Sequence, residues 1–431
     1  MTRPVEAGLL LGAAALAAFG VVLVNLAGGG GVDAQTGLTF LVTALSFGGV
    51  QLAVMRFAPM ATALLLPPAA LLAGIGFTEI YRLNPYRAGL QRWWLAIAAG
   101  LAVGLLVLLA DRGLDLVRRY RYLFLSTGLL LLLAPRLPQD WAFPLRGLEL
   151  NGSRLWLVLD LGPSAIHFQP GEVAKLSLIA FLASYLAERQ PALVGAGRRF
   201  GRIRLPALRQ LTPVLLITAS GILVLVSQRD LGASLLMFGV MVGMLYSATG
   251  GALYPLGGLM VAGVGGYLAW RTFPHVDRRV TAWLRPFSDF DGAGYQVVQG
   301  WFALGSGSLS GAGLGLGRPD LIPNASTDFM FAAVGEELGF AGLTAVLGLY
   351  ALITAAAFGV ALRARDRFRK LLASGLAFGF FLQVFLIAGG ILRLVPLTGL
   401  ALPLMSYGGS SLVGTFLLLA LLLRISHEEA A

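Results

Sequence analysis

Ionisable side chains are sparse in this chain, and those that could do chemistry fall in short clusters at the ends of apolar runs. The first cluster is Gln169-Pro170-Gly171-Glu172-Val173-Ala174-Lys175. At a spacing of three residues on a helix, Glu172 and Lys175 share a face and can pair. The carboxylate also suits the positive end of a helix that starts here. Two readings stand side by side: an ion pair that satisfies itself in low dielectric, or a polar floor for a bound headgroup. The second cluster, Gln228-Arg229-Asp230-Leu231-Gly232, is a charged turn in which Asp230 can cap the following helix. The third is Ser288-Asp289-Phe290-Asp291-Gly292-Ala293-Gly294-Tyr295-Gln296. Here two acids sit in a glycine-punctuated turn, either as a solvated loop or as a place where backbone can approach a ligand closely.

Two further clusters follow. Ser326-Thr327-Asp328-Phe329 leads into Gly335-Glu336-Glu337-Leu338-Gly339, with Thr327 or Asp328 expected to cap a helix. Pro396-Leu397-Thr398-Gly399-Leu400 runs through Pro403 to Ser406-Tyr407-Gly408-Gly409-Ser410-Ser411. Its small residues suit close helix packing, or backbone donors offered to a phosphate. His167, His275 and His427 lack the spacing of a metal site, and the chain has no cysteine. No nucleotide-binding glycine loop of the GxxxxGK[ST] type is present.

The elements that must position these clusters are membrane helices. The 431 residues are 57% hydrophobic and 12% charged, with a mean hydropathy of +0.80, far too apolar for a soluble surface. About twelve runs are long enough to approach a span of roughly twenty residues. They lie near 6–27, 35–56, 59–79, 92–111, 120–135, 172–188, 211–227, 231–248, 252–271, 328–361, 371–392 and 405–424. The first reads as a membrane helix and not a cleaved leader, because the run is about twenty residues long and the glycine-rich Gly28 to Gly31 after it makes no convincing cleavage site. The tenth is long enough to include an amphipathic opening around Glu336 and Glu337. The expected fold class is therefore all-α and polytopic. The net charge of +11 sits mostly in short connectors, which points to membrane orientation and not to nucleic acid. Connectors 111–121, 188–210 and 361–370 carry the dense arginines and fall on one side, which the positive-inside rule makes cytoplasmic. Arg82, Arg87 and Arg92 lie opposite and count against it. Both termini are then expected in the cytoplasm, and the long connectors 136–171 and 273–327 outside. The latter mixes polar residues with Trp301, Phe302, Leu304 and Leu309, which suits a loop folded back on the protein.

The order of the clusters, starting from Asn151-Gly152-Ser153-Arg154-Leu155-Trp156 and ending at Ser411, resembles the SEDS family (the RodA/FtsW/SpoVE group) over about residues 60–425. That resemblance implies a peptidoglycan glycosyltransferase in the bacterial cytoplasmic membrane. Such an enzyme polymerises lipid II into glycan strands at the outer leaflet, with a class B penicillin-binding transpeptidase as partner. It implies a core at 58–431 with a catalytic outer loop at 273–327, preceded by an extra helix pair at 1–57. The family's catalytic aspartate maps onto Asp289. Trp156, Glu172, Lys175 and Asp230 match family positions as site or scaffold residues. Arg279, Lys175 and Arg154 are available to a leaving diphosphate, and Ser406 and Ser410 complete the candidate substrate-binding set. A divalent cation could share the charge, although no ligand cluster proves one. The chain departs from the family pattern at Phe290, where Pro is usual, at the added Asp291, at Gly171 for Ser and at Arg229 for Pro.

Two other functions are open to such a chain. A lipid-precursor flippase would need alternating access and repeat symmetry, and no internal repeat is evident. A non-catalytic scaffold for the transpeptidase would keep the fold and lose the acid.

Overall fold

The structure is a computed structural model describing residues 2–138, 144–150, 153–160, 165–195, 198–200, 203–205, 208–292 and 294–430. Asn151, Gly152 and Ala293, named above, lie outside the described residues.

Each expected apolar run is a helix. In chain order these are α1 (Arg3–Ala27), α2 (Ala34–Phe57), α3 (Leu66–Leu83), α4 (Pro85–Arg112), a short α5 (Asp115–Arg119) and α6 (Arg121–Leu133). After a strand-rich segment come α7 (Gly171–Gly195), α8 (Leu208–Ser227), α9 (Leu231–Thr249) and α10 (Leu253–Thr272). The outer loop contributes α11 (Pro274–Leu284) and α12 (Tyr295–Gly307), and the chain closes with α13 (Met330–Arg363), α14 (Arg367–Ile391) and α15 (Gly409–Ala430). Local chemistry sets several starts. Asp33, Asn84, Asp230 and Asp366 each accept a backbone N–H from the first turn of the helix they precede. Pro67 delays the third helix to Leu66, later than the hydropathy alone suggested, because proline is favoured in a first turn and excluded from a helix interior.

Among the described residues, eight helices are long and apolar enough to cross a membrane: α1, α2, α4, α9, α10, α13, α14 and α15. The other four expected runs are α3, α6, α7 and α8, which pack inside the same bundle. Ionisable residues interrupt α3 and α7, and α6 has 13 residues. All twelve are proposed to span, with both termini cytoplasmic.

Two features were not expected. The outer connector 136–171 is an antiparallel sheet of β1 (Leu145–Leu150), β2 (Ser153–Asp160) and β3 (Ala165–Phe168), in the order β1-β2-β3. The connector between α7 and α8 holds a second, minimal pair, β4 (Arg198–Phe200) and β5 (Ile203–Leu205). The fold remains helical, with strands confined to connectors.

The second feature concerns α13. Glu336 and Glu337 do not form an amphipathic opening; they end one helix before another begins. Gly339 has φ 66° and ψ −170°, which breaks α13. The backbone groups freed by the break pair with the outer loop. Ala312 and Gly313 donate to the carbonyls of Glu336 and Glu337 at 2.9 and 3.0 Å, while Phe340 and Ala341 donate to those of Ser308 and Leu309 at 2.9 and 3.0 Å. The two carboxylates add to this, Glu337 accepting from Gly315 N at 2.8 Å and Glu336 from Arg318 N at 2.9 Å. Broken backbone is tolerated at membrane depth only where protein re-satisfies it. The loop is thereby re-entrant, with α12 packed along α13.

The topology is testable in this cysteine-free chain with single cysteines at two exposed positions, Asp115 and Ser310. An impermeant maleimide should label Ser310→Cys from outside intact cells and Asp115→Cys only after the membrane is opened. Labelling of both from one side would refute the twelve-span orientation.

Candidate functional site

The clusters that were separate in sequence meet in pairs. Ser406 and Tyr407, before α15, are laid on Ser326 and Thr327, before α13. The Ser406 hydroxyl donates to Thr327 O at 2.5 Å and accepts from Leu402 N at 3.0 Å, and Tyr407 N donates to Ser326 O at 2.7 Å. Ser406 is buried with these backbone partners, so its hydroxyl braces the two loops. Arg87 reaches the same place, donating to Ser326 Oγ at 2.8 Å with its guanidinium over the Tyr407 ring. Ser410, at the start of α15, accepts from Gln169 N at 2.7 Å and so ties the last motif to the first.

Glu172 and Lys175 form the expected pair, with Lys175 Nζ 2.9 Å from Glu172 Oε2. The ammonium also donates to Gln383 Oε1 at 2.7 Å, and Gln383 Nε2 donates to Ala401 O at 2.9 Å. Gln383 was missed, although an amide inside the apolar run of α14 was a visible signal. Asp230 caps α9 through Ala233 N at 2.9 Å and shares a narrow cleft with Gln169, Glu172, Lys175 and Leu400. Burial pushes the Asp230 carboxyl up, against the Ala233 hydrogen bond that favours its ionised form.

Leu400 also lines the neighbouring cavity, of about 160 Å³, with Arg279, Gln296, Asp328 and Thr398 among its walls. Arg279, on α11, is held by the carbonyls of Thr398 at 2.9 Å and Leu397 at 3.3 Å. Asp328 departs from expectation. The residue at the cap position of α13 is Phe329, without a side-chain cap, and neither Thr327 nor Asp328 fills that role. Asp328 instead lines this cavity. Burial raises its carboxyl above the usual carboxylate range, and the Arg279 guanidinium opposes that rise.

Asp289 ends a 3₁₀ turn, Pro286–Asp289, between α11 and α12, and is exposed. Its carbonyl accepts from Gly292 N and Gly294 N at 3.2 and 3.0 Å. A Cβ at Gly292 would lie 2.3 Å from the Asp289 carboxylate, so the glycine is what lets that carboxylate lie over the turn. One at Gly294 would meet Pro286 O still closer. The helices flanking the turn supply Arg279 and Gln296 to the cavity; Asp289 is not among its walls. Asp291 is exposed beside it.

Arg154 and Trp156 stand apart, on β2. Trp156 is half-buried opposite Leu148 of β1. Arg154 pairs with Glu149 at 2.8 Å beside a different cavity. The divalent cation lacks a ligand set: among the described residues, no three His, Asp or Glu side chains are grouped to hold a metal ion.

Residues 84–431 match the family described as "Cell cycle protein", of the FtsW, RodA and SpoVE type. The chain belongs to this family. It is 40% identical over 401 residues to the peptidoglycan glycosyltransferase RodA of Mycobacterium tuberculosis, covering 91% of this chain and 82% of that one. It is 35% identical over 284 residues to the stage V sporulation protein E of Bacillus subtilis, covering 65% and 73%. Among solved structures it resembles a chain from work on "polymerization and crosslinking by a peptidoglycan synthase complex", with a TM-score of 0.65, 28% identity and coverage of 84% and 96%. Thermus thermophilus RodA aligns with a TM-score of 0.55 at 26% identity, covering 84% and 95%. Family membership accounts for the helical membrane fold, and the paired motifs above are how this member assembles it.

The Glu172–Lys175–Gln383 set yields a stability test. Both charged side chains are about one-seventh exposed, so Lys175→Met strands a buried carboxylate and should cost roughly 3–5 kcal/mol. The thermal midpoint in detergent should fall, and Glu172→Gln in the same chain should recover part of it. An unchanged midpoint in Lys175→Met would show that the pair serves bound ligand and not stability.

Proposed function

We propose that this chain is a peptidoglycan glycosyltransferase that polymerises lipid II at the outer face of the bacterial cytoplasmic membrane, acting with a class B penicillin-binding protein. The observation that carries this reading is the meeting of α11, α12, the residues just before α13 and the segment before α15 on one cavity, with α7 and α9 on the cleft beside it and Leu400 shared by both, in a chain whose relatives bear that enzyme's name. A lipid-linked substrate explains why such a site is built from membrane helices. Its tail stays in the bilayer while the sugars reach the outer loop.

Polymerisation forms a bond between the 4-oxygen of one terminal GlcNAc and the anomeric carbon of another chain's MurNAc. The bond from that carbon to the diphosphate oxygen breaks, and undecaprenyl diphosphate leaves. The attacking hydroxyl is a weak nucleophile, so a carboxylate that takes its proton speeds the step. Asp289 is assigned that role. Its exposure and the glycines that seat it support access by a sugar hydroxyl. The diphosphate gathers negative charge as it departs, and preorganised cations lower that barrier most. Arg279 is held for this by two carbonyls, and Lys175 by Glu172 and Gln383. Asp230 and Glu172 position these cations, Ser406 and Ser410 brace the loops, and Trp156 and Arg154 belong to the outer sheet. The helix pair 1–57 is read as an addition to the core at 58–431.

The decisive variants are at the two neighbouring acids. With lipid II and a cognate transpeptidase, Asp289→Asn should lose about 10²–10⁴-fold in glycan ladder formation, the usual contribution of a general base. It should fold and bind its partner normally, because the change is nearly isosteric. Asp291→Asn should keep most activity. Exchanged phenotypes would move the base to Asp291, and full activity in both would favour the scaffold function.

A further inference from the structure

The turn between α8 and α9 separates two cavities, and only one belongs to the site above. The other, about 450 Å³, lies between that turn and the outer sheet and is lined by Arg136, Glu149, Arg154, Ser227, Gln228 and Arg229. Three guanidinium groups thus share one carboxylate, and that carboxylate is taken by Arg154. The cavity is seated firmly. Gln228 is buried and donates to Leu132 O at 2.6 Å, which pins the turn to α6. Arg136, just beyond α6, donates to the Ser227 hydroxyl.

Arg229 has φ 63°, a left-handed conformation that costs a non-glycine residue energy and persists only where the surroundings enforce it. Here Asp230 N donates back to Leu225 O at 2.9 Å and closes the turn around it. This chain therefore keeps a cation at a strained position beside two others. Arg279 and Arg229, one from the lining of each cavity, both act on His275 of α11: burial lowers its proton affinity, and the two guanidinium groups lower it further.

We infer that Arg136, Arg154 and Arg229 form a second phosphate-binding subsite that takes the phosphate or diphosphate head group of a membrane lipid. Planar guanidinium forks match phosphate oxygens in pairs, and three around one cavity suit a multiply charged anion. The setting suits a lipid, since the subsite sits where α6 and α8 end at the outer face. Resting on the function proposed above, a polymerase must hold two lipid-linked reactants at once, so two diphosphates need cationic seats. The Arg279 cavity supplies one and this cavity the other.

Binding to the purified full chain in detergent tests this without glycan synthesis. The probes are undecaprenyl diphosphate, phosphatidylglycerol and, as a zwitterionic control, phosphatidylcholine. The variants are Arg229→Gly, which retains the left-handed turn and should fold at least as well, and Arg136→Gln with Arg229→Gly. Each lost charge-assisted hydrogen bond should weaken binding roughly tenfold or more. Phosphatidylcholine binding and the thermal midpoint should not change. Weakening on the diphosphate arm identifies a seat for a polyprenyl diphosphate, and weakening on the phosphatidylglycerol arm alone identifies a phospholipid; either sustains the subsite. If the double variant folds poorly, Arg229→Gly carries the comparison. Equal binding by parent and variant on both anionic arms would overturn the inference. A chain that binds lipid through these arginines yet makes no glycan would refute the polymerase and spare the subsite.

Discussion

A helix that breaks inside a membrane protein leaves donors and acceptors that lipid cannot satisfy, and the fold of the outer loop answers that constraint. At Gly339 the chain turns through φ 66°, and residues 308–313 supply the missing backbone partners on both sides of the break. Glu336 and Glu337 extend the contact to Gly315 and Arg318. Everything that follows in the loop depends on this seat. It anchors the end of α12 against α13, the helix that follows Asp328, which shares a cavity wall with Arg279. Unsatisfied, those groups would each cost several kcal/mol in hydrocarbon.

The same logic governs the charged residues. Lys175 is not left as a lone cation: the Glu172 carboxylate and the Gln383 amide oxygen share it. Arg279 rests on two carbonyls of the 397–398 segment. Asp328 and Asp230 bear the cost of burial in carboxyls raised above their ordinary range. Arg279, held by neutral carbonyls, keeps its positive charge, whereas the charge of Lys175 is balanced by Glu172. The second arginine cavity follows this pattern more openly, with three guanidinium groups against Glu149. Asp289 differs, being exposed on a glycine-built turn.

Much of this was legible in the residues alone. Apolar run length determined the helices, because a span of about twenty residues is set by bilayer thickness and not by tertiary context. The Asp230 cap and the Glu172–Lys175 pair were determined too, since both are local and depend on helical spacing alone. The outer sheet was not legible: Leu145, Leu148 and Leu150 are spaced by three and then two, across an irregularity in the pairing, and Leu155 to Leu159 is apolar throughout, so no period of two marks either strand.

Only the tertiary structure decided the rest. Asp328 stands where a helix cap is normal, and nothing local distinguishes a cap from a cavity wall; Arg279, 49 residues earlier, makes the difference. Ser406 reads as one of a substrate-binding set, and only the fold shows its hydroxyl lying between Thr327 O and Leu402 N. Gln383 acquires meaning only when α14 is laid against α7. The break at Gly339 shows in sequence merely as a glycine after two glutamates, because its cause lies in the loop that pairs with it. A side chain's local preferences are written in its neighbours along the chain. Its partner across the bundle is set by packing that sums over many helices, and so the site was determined there.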